Sequence, residues 1–245
     1  MSGKTGIIFR RELNSYFSTP LALVFTVIFL VLSGIFTFQI SGFYDRGQAD
    51  LQVFFRWLPW LYLILVPAIS MGLWSDERKT GTIELLLTLP VSIWNVVIGK
   101  FLAAWLFICI SLALTFPLWI TVNYLGDPDN GVILSSYFAS ALMAGGFLAV
   151  GSLVSATTKN QIIAFIMSLV ICFLFVVSGE SFILEFFDGW MPEFIVNAIE
   201  SFSFITYFES FNRGLVDLRN ILFFCGLIIV WLMATAIIID MKKAD

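Results

Sequence analysis

The chain has 245 residues, of which 60% are hydrophobic and 12% are charged, and its formal net charge is -4. This composition excludes a soluble single domain, because soluble globular proteins are about half apolar and a quarter charged, and the charge is not that of a nucleic-acid-binding protein. With no histidine and only three cysteines, far apart in apolar runs, the sequence excludes histidine-based catalysis and predicts neither a metal site nor a disulfide framework.

The first segment, residues 6–20, has apolar side chains at helical spacing. Phe9, Leu13 and Tyr16 recur every three or four residues, and charged residues lie between them. This pattern predicts a helix along the inner membrane interface, and Pro20 marks the turn into the membrane.

Six runs without Asp, Glu, Lys or Arg follow. A hydrocarbon core about 30 Å thick needs about 20 mostly apolar residues in a helix. The sequence therefore predicts an all-α, polytopic membrane protein with a single transmembrane domain over residues 1–245. The predicted membrane-spanning helices are residues 21–40, 57–74, 101–125, 132–155, 162–179 and 221–239.

Two of these runs carry further signals. Pro117 in the third run predicts a kink. Ala141, Gly145 and Ala149 in the fourth run recur every four residues, which favours close helix packing within the subunit, with a subunit interface as the alternative.

The flanking charges predict the orientation. Cytoplasmic segments of membrane proteins carry the excess of Lys and Arg. A cytoplasmic N-terminus places most of the 13 cations inside and only Arg46, Arg56, Arg213 and Arg219 outside. We therefore expect a multi-pass protein of the bacterial inner membrane with both termini in the cytoplasm.

The cytoplasmic segment 75–100, between the second and third spans, predicts a short separate helix. Gly81 ends the helix that descends from the membrane, and Thr82 caps a new helix. Glu84 lies in the first turn of that helix, where the helix dipole favours an acid, and Pro90 ends it.

This short helix has two interpretations that spacing and capping do not separate. It is either an interfacial turn that only reconnects two spans or a contact surface for a partner. Its apolar residues, Leu85, Leu86 and Leu87, can face lipid, the helical bundle or a groove in another protein.

The string ERKTGTIELLLTLPVS, followed by Gly99 and Lys100, resembles the first cytoplasmic loop of type-2, exporter-class ABC transporter permeases. In that family the loop forms a coupling helix that docks in a groove of the ATP-binding subunit. The resemblance implies that the ATPase-contact residues are Asp76, Glu77, Arg78, Lys79, Gly81, Thr82, Glu84, Leu85, Leu86 and Leu87.

The outer segment 180–220 is too long for a plain loop and too acidic for another span. Two apolar pieces separated by a polar turn suggest a helical hairpin that dips into the outer leaflet. Glu180 and Glu185 lie near the level where lipid begins. They are candidates for a transport pathway, and snorkelling to the interface is the alternative interpretation.

The end of this segment predicts a helix that stops at Gly214, a plausible C-cap. It is also similar to the pattern that the same permease family has before its last span, with Phe208, Phe211, Gly214 and Asp217 at the matching positions. The overall resemblance is nearest to permeases associated with gliding motility and with maturation of nitrous-oxide reductase.

The sequence has no Walker phosphate-binding loop, so we expect a non-enzymatic chain without a cofactor of its own. The resemblance implies two partner ATPase subunits that bind ATP and Mg²⁺, a second copy of this permease or a related one, and an extracytoplasmic protein if the complex signals mechanically rather than exports. Two other classes remain open: an ion-coupled secondary transporter, which the charge-free spans disfavour, and a non-transporting membrane scaffold.

Overall fold

The computed structural model describes residues 3–83, 91–180 and 192–241, and all regular elements in these ranges are helical. In chain order they are α1 (Gly3–Ser18), α2 (Pro20–Gly34, continued by a π-helical turn, Ile35–Ile40), α3 (Gln52–Ser70), α4 (Gly72–Thr80), α5 (Ile93–Ala113), α6 (Phe116–Leu125), α7 (Asn130–Thr157), α8 (Gln161–Val177), α9 (Glu193–Glu200), α10 (Phe204–Asn212) and α11 (Leu218–Met241).

Five of the predicted spans are confirmed as helical segments that are long and apolar enough to cross a membrane. They are Ala22–Ile40, Gln52–Thr80, Ile93–Leu125, Asn130–Thr157 and Leu218–Met241. The remaining prediction, residues 162–179, corresponds to α8, an apolar helix of 17 residues. At 1.5 Å per residue α8 is about 25 Å long, slightly less than the hydrocarbon core, so its crossing of the membrane stays a prediction.

The third span is broken at the predicted position. Helix α5 ends at Ala113, and α6 begins at Phe116 with Pro117 in its first turn. Proline has no backbone N–H to donate within a continuing helix, but it fits the first turn of a new one. The buried Thr115 bridges the break, since its Oγ1 donates to the Leu112 carbonyl at 2.6 Å.

Helix α7 forms the centre of the bundle. It contacts α3, α4, α5, α8, α10 and α11, and its small residues lie at these contacts. Gly145 leaves room for Ile228 and Trp105, and the Trp105 indole N–H donates to the Ala141 carbonyl at 2.8 Å. The small residues of the fourth span therefore serve packing within this subunit, as the sequence favoured.

Helix α1 lies against α5 at one end of the bundle. The Ile8 side chain occupies the space above Gly99, where a Cβ would come within 2.9 Å of it. The Thr5 hydroxyl donates to Asn95 Oδ1 at 2.9 Å, and Tyr16 stacks on Phe107 with 5.4 Å between the ring centroids. The N-terminal helix is thus fixed to the third span at several points along its length.

Candidate functional site: an ion cluster around Lys100 and an outer cavity

Helix α4 is a short extension of the second span, and Ser155 of α7 holds the junction between α3 and α4. The Ser155 hydroxyl donates to the Met71 carbonyl at 2.7 Å and accepts the backbone N–H groups of Trp74 and Ser75, each at 3.1 Å. One hydroxyl therefore satisfies three backbone groups at the point where the helix is interrupted. The Trp74 indole N–H donates to Ser152 on the same helix α7 at 3.1 Å.

The next feature is a buried ion cluster, which we name the Lys100 cluster: Glu12 of α1, Trp74 and Glu77 of α4, and Lys100 of α5. The Lys100 Nζ lies 2.9 Å from Glu77 Oε1 and 3.5 Å from Glu12 Oε1. It also donates to the Leu73 carbonyl at 3.1 Å and lies 5.3 Å from the centre of the Trp74 ring. Because Lys100 is only 4% exposed, these contacts replace nearly all of its hydration.

A second cation balances the two carboxylates of the Lys100 cluster. The Arg11 guanidinium lies 2.5 Å from Glu12 Oε1 and 3.9 Å from Glu77 Oε1. The hydrogen bond to Glu12 raises the pKa of Arg11. The other oxygen of Glu77, Oε2, is buried and has no hydrogen-bond partner among the described residues. Glu77 therefore depends on Lys100 for most of its compensation.

Two further side chains of α4 reach the neighbouring helices. The Arg78 guanidinium donates to the Ala156 carbonyl at the end of α7 at 2.6 Å. Gln161, the first residue of α8, donates to the Asp76 carboxylate. Asp76, Glu77 and Arg78, for which the resemblance predicts an ATPase contact, therefore make contacts inside their own subunit. Lys79 is exposed.

Gly81 ends α4 as predicted. Its φ of 74° is in the left-handed region that glycine adopts without strain. The Thr82 hydroxyl lies 2.9 Å from the Thr80 hydroxyl, and residues 82–83 are helical. Glu84, Leu85, Leu86 and Leu87 lie outside the described residues, so the length and contacts of the predicted coupling helix stay predictions.

A cleft of about 340 Å³ adjoins the Lys100 cluster between α1, the α3–α4 junction and α8. Glu12 and Lys100 both line it. Glu12 was not predicted as a site residue, and Lys100 was predicted only as part of a motif. The position of Lys100 at the start of a long apolar run could have indicated this cluster. A lysine that is buried at such a position requires a carboxylate partner.

At the opposite end of the bundle lies a larger cavity of about 870 Å³, which we name the outer cavity after the predicted orientation. It is bounded by the end of the π-helical turn, the first turns of α3, the residue Glu180 after α8, and α10. Glu180 is half-buried on its wall, while Glu185 lies outside the described residues. Of the predicted hairpin, the structure describes the second apolar piece, which lies in α9, while the first piece and most of the turn lie outside the described residues.

The residues of the motif before the last span have structural roles here. Phe208 and Phe211 are buried in the core, and the Phe211 carbonyl accepts the Ser135 hydroxyl of α7 at 3.1 Å. Gly214, with φ of 77°, forms the end of α10, where its N–H donates to the Phe211 carbonyl at 2.9 Å. Asp217 accepts the Arg219 backbone N–H at 2.9 Å before α11 begins.

A comparison with protein families identifies the chain. The family described as ABC-2 family transporter protein matches residues 7–241, which includes both the Lys100 cluster and the outer cavity. No curated protein matches the chain. Since the match extends over nearly the whole length and the helices include several of membrane-spanning length, the protein belongs to the ABC-2 transporter family, as a multi-pass membrane permease.

Proposed function

We propose that this permease is the membrane subunit of an ATP-driven exporter and that separate ATPase subunits bind at the end of the bundle that carries α4. In this proposal the contact surface consists of the exposed part of α4 and the segment that follows Gly81. ATP and Mg²⁺ are bound by two ATPase subunits, and a second copy of this permease or a related one completes the complex in the bacterial inner membrane.

The observation that carries the proposal is the attachment of α4 to four other helices at one end of the bundle. The Lys100 cluster joins α4 to α1 and α5. Ser155 and Ala156 join it to α7, and Gln161 joins it to α8. Because packed elements shift as units rather than deforming continuously, a force applied just beyond α4 reaches all four helices together.

Transport follows if the ATPases favour different arrangements of α4 and its four attached helices with and without ATP. A partner shifts a two-state equilibrium only through its different affinities for the two states. The ATPase therefore has to grip the segment after Gly81 in one nucleotide state more tightly than in the other. From the overall resemblance of the sequence, we also propose that the chain lies near the permeases of gliding motility and of nitrous-oxide-reductase maturation.

The test is co-purification of the permease with a candidate ABC ATPase subunit, for which an ATPase gene adjacent to that of the permease would be the first choice, together with measurement of ATP hydrolysis. Glu84→Arg reverses a charge on the proposed contact surface, and Gly81→Pro changes the turn that directs it. We expect complex yield and stimulated hydrolysis to fall about tenfold or more. Glu84→Arg removes the charge that the proposed contact presents to the ATPase, and Gly81→Pro cannot adopt the φ of 74° at this turn.

Asp127→Arg is the matched control, because it makes the same kind of charge reversal in an exposed turn between α6 and α7. It should leave both quantities unchanged. If Glu84→Arg and Gly81→Pro both give the same complex yield and the same stimulated hydrolysis as the wild type, this segment is not the ATPase contact.

A further inference from the structure

The outer cavity combines arginines with aromatic and aliphatic walls. Arg46, Arg56 and Arg213 line it, against two carboxylates, Glu180 and Glu209. One of those carboxylates is already engaged, since Glu209 lies 3.4 Å from Arg213. Among the described residues, the wall of the cavity therefore carries an excess of positive charge.

One of these arginines, Arg56, has an unpaired guanidinium within the described part of the chain. The Arg56 side chain makes no hydrogen bond or ion pair within the ranges that the structure describes, and Arg46 makes only a long contact of 3.4 Å with Gln48. Both side chains are exposed, so neither is fixed by packing. A guanidinium binds carboxylates and phosphates with two parallel hydrogen bonds, which favours an anionic ligand here.

The remainder of the wall is apolar. Trp57 and Trp60 project from the same turns of α3 as Arg56, and Val53 and Phe208 complete this side. Tryptophan is enriched where membrane helices meet the lipid headgroups. A ligand here can place an acidic headgroup at the arginines and an apolar portion against the tryptophans.

The size of the cavity is also compatible with such a ligand. The volume of about 870 Å³ fits a small-molecule site, and it suits a headgroup with the first part of its chains.

From this combination we propose that the outer cavity binds an anionic amphiphile, a molecule with a phosphate or carboxylate headgroup and an apolar tail. The cavity lies at the far end of the helical segment Gln52–Thr80 from the Lys100 cluster. We take this ligand to be the cargo of the exporter, and this part of the inference rests on the proposed function. Binding itself requires only the permease.

The experiment measures ligand binding to the purified permease in a neutral detergent, without any ATPase. The probes are short-chain phosphatidylglycerol, short-chain phosphatidylcholine and inorganic phosphate, and bound molecules are counted by native mass spectrometry. We expect one phosphatidylglycerol per chain, with weaker binding of phosphatidylcholine and of inorganic phosphate, since each lacks one of the two required features.

Arg56→Gln should weaken phosphatidylglycerol binding about tenfold, the size expected for one charge-assisted pair, and adding Arg46→Gln should weaken it further. Arg219→Gln is the matched control, because Arg219 is exposed outside the cavity near the start of α11. It should bind like wild type.

Three results would overturn the proposal: equal losses in Arg56→Gln and Arg219→Gln, equal affinity for the two lipids, or equal affinity for inorganic phosphate and phosphatidylglycerol. The first indicates general charge attraction, the second a site without anion recognition, and the third an anion site without a role for the tail. Because no ATPase is present, none of these results bears on the coupling proposal.

Discussion

At the scale of single residues, Lys100 determines how three parts of the chain meet. An ammonium group that is removed from water needs carboxylates and carbonyls around it, and these come from α1 and from the α4 region. The Lys100 cluster thus ties the N-terminal helix, the end of the second span and the start of the third span together. A buried lysine among apolar helices therefore requires that the helices carrying its carboxylate partners pack beside it.

Removing this charge should destabilise the protein. Lys100→Met leaves Glu77 and Glu12 without their buried partner, and breaking such a pair costs about 3–5 kcal/mol. The free energy of unfolding in detergent micelles would show this loss. Lys79→Met, at an exposed position on α4, should change it by less than about 0.5 kcal/mol.

The double variant Glu77→Gln with Lys100→Met separates lost charge compensation from lost packing. It should be more stable than Lys100→Met alone, because one uncompensated carboxylate is gone. Equal stabilities of Lys100→Met and Lys79→Met would mean that the Lys100 cluster contributes nothing to the fold.

At the scale of elements, close approach of α3 and α7 depends on a glycine. A Cβ at Gly151 would come within 2.5 Å of the Ser70 Cβ, and Ser70 is fully buried. Gly151→Ala should therefore force the two helices apart and cost about 1–3 kcal/mol, measured as the free energy of unfolding.

Gly226 provides the matched control within α11. A Cβ there meets nothing within 4 Å. Gly226→Ala should be neutral or stabilise the protein by up to about 1 kcal/mol, because alanine favours the helix. A loss of stability in Gly226→Ala equal to that in Gly151→Ala would show that contact with Ser70 is not the cause.

The sequence predicts where the helices lie better than it predicts which helices pack together. Long charge-free runs locate the helices because the bilayer fixes their length, and Pro117 and Gly214 mark a break and an end through purely local backbone effects. The pairing of Lys100 with Glu12 was not predictable in this way. Helices that are apolar around most of their circumference carry little information about which helix is next to which.

The contacts of α4 were missed for a related reason. Asp76, Glu77 and Arg78 look like solvated charges in the sequence, and only their position beside the ends of α5, α7 and α8 gives them partners. Sequence alone predicted that this region is special but not that its charges bind within the subunit. The ATPase contact itself stays a prediction.

At the scale of the whole molecule, the positions of the two ends of α8 show its path through the bundle. Its first residue, Gln161, contacts α4 at the Lys100-cluster end. The chain reaches the outer cavity at Glu180, soon after α8 ends. Helix α8 therefore extends from one end of the bundle to the other, which supports the predicted sixth crossing despite its short length.

This arrangement predicts which residues face which side of the membrane. In a background where Cys109, Cys172 and Cys225 are replaced by alanine, single cysteines would be introduced by Lys79→Cys and Lys159→Cys at the Lys100-cluster end, and by Tyr44→Cys and Leu215→Cys at the other, all at exposed positions. A membrane-impermeant maleimide added to intact spheroplasts should label only the second pair. Inside-out vesicles should show the reverse.

Each outcome addresses a separate part of the topology. The pair Lys79→Cys and Tyr44→Cys tests orientation, which rests on the excess of cations in the predicted cytoplasmic segments. Reversed labelling of this pair would place α4 outside the cell, where no ATPase can bind it. The pair Lys159→Cys and Leu215→Cys tests α8, since these positions flank it and the segment before α11. Labelling of both from one side would mean that α8 does not cross the membrane, which would also place the two termini on opposite sides.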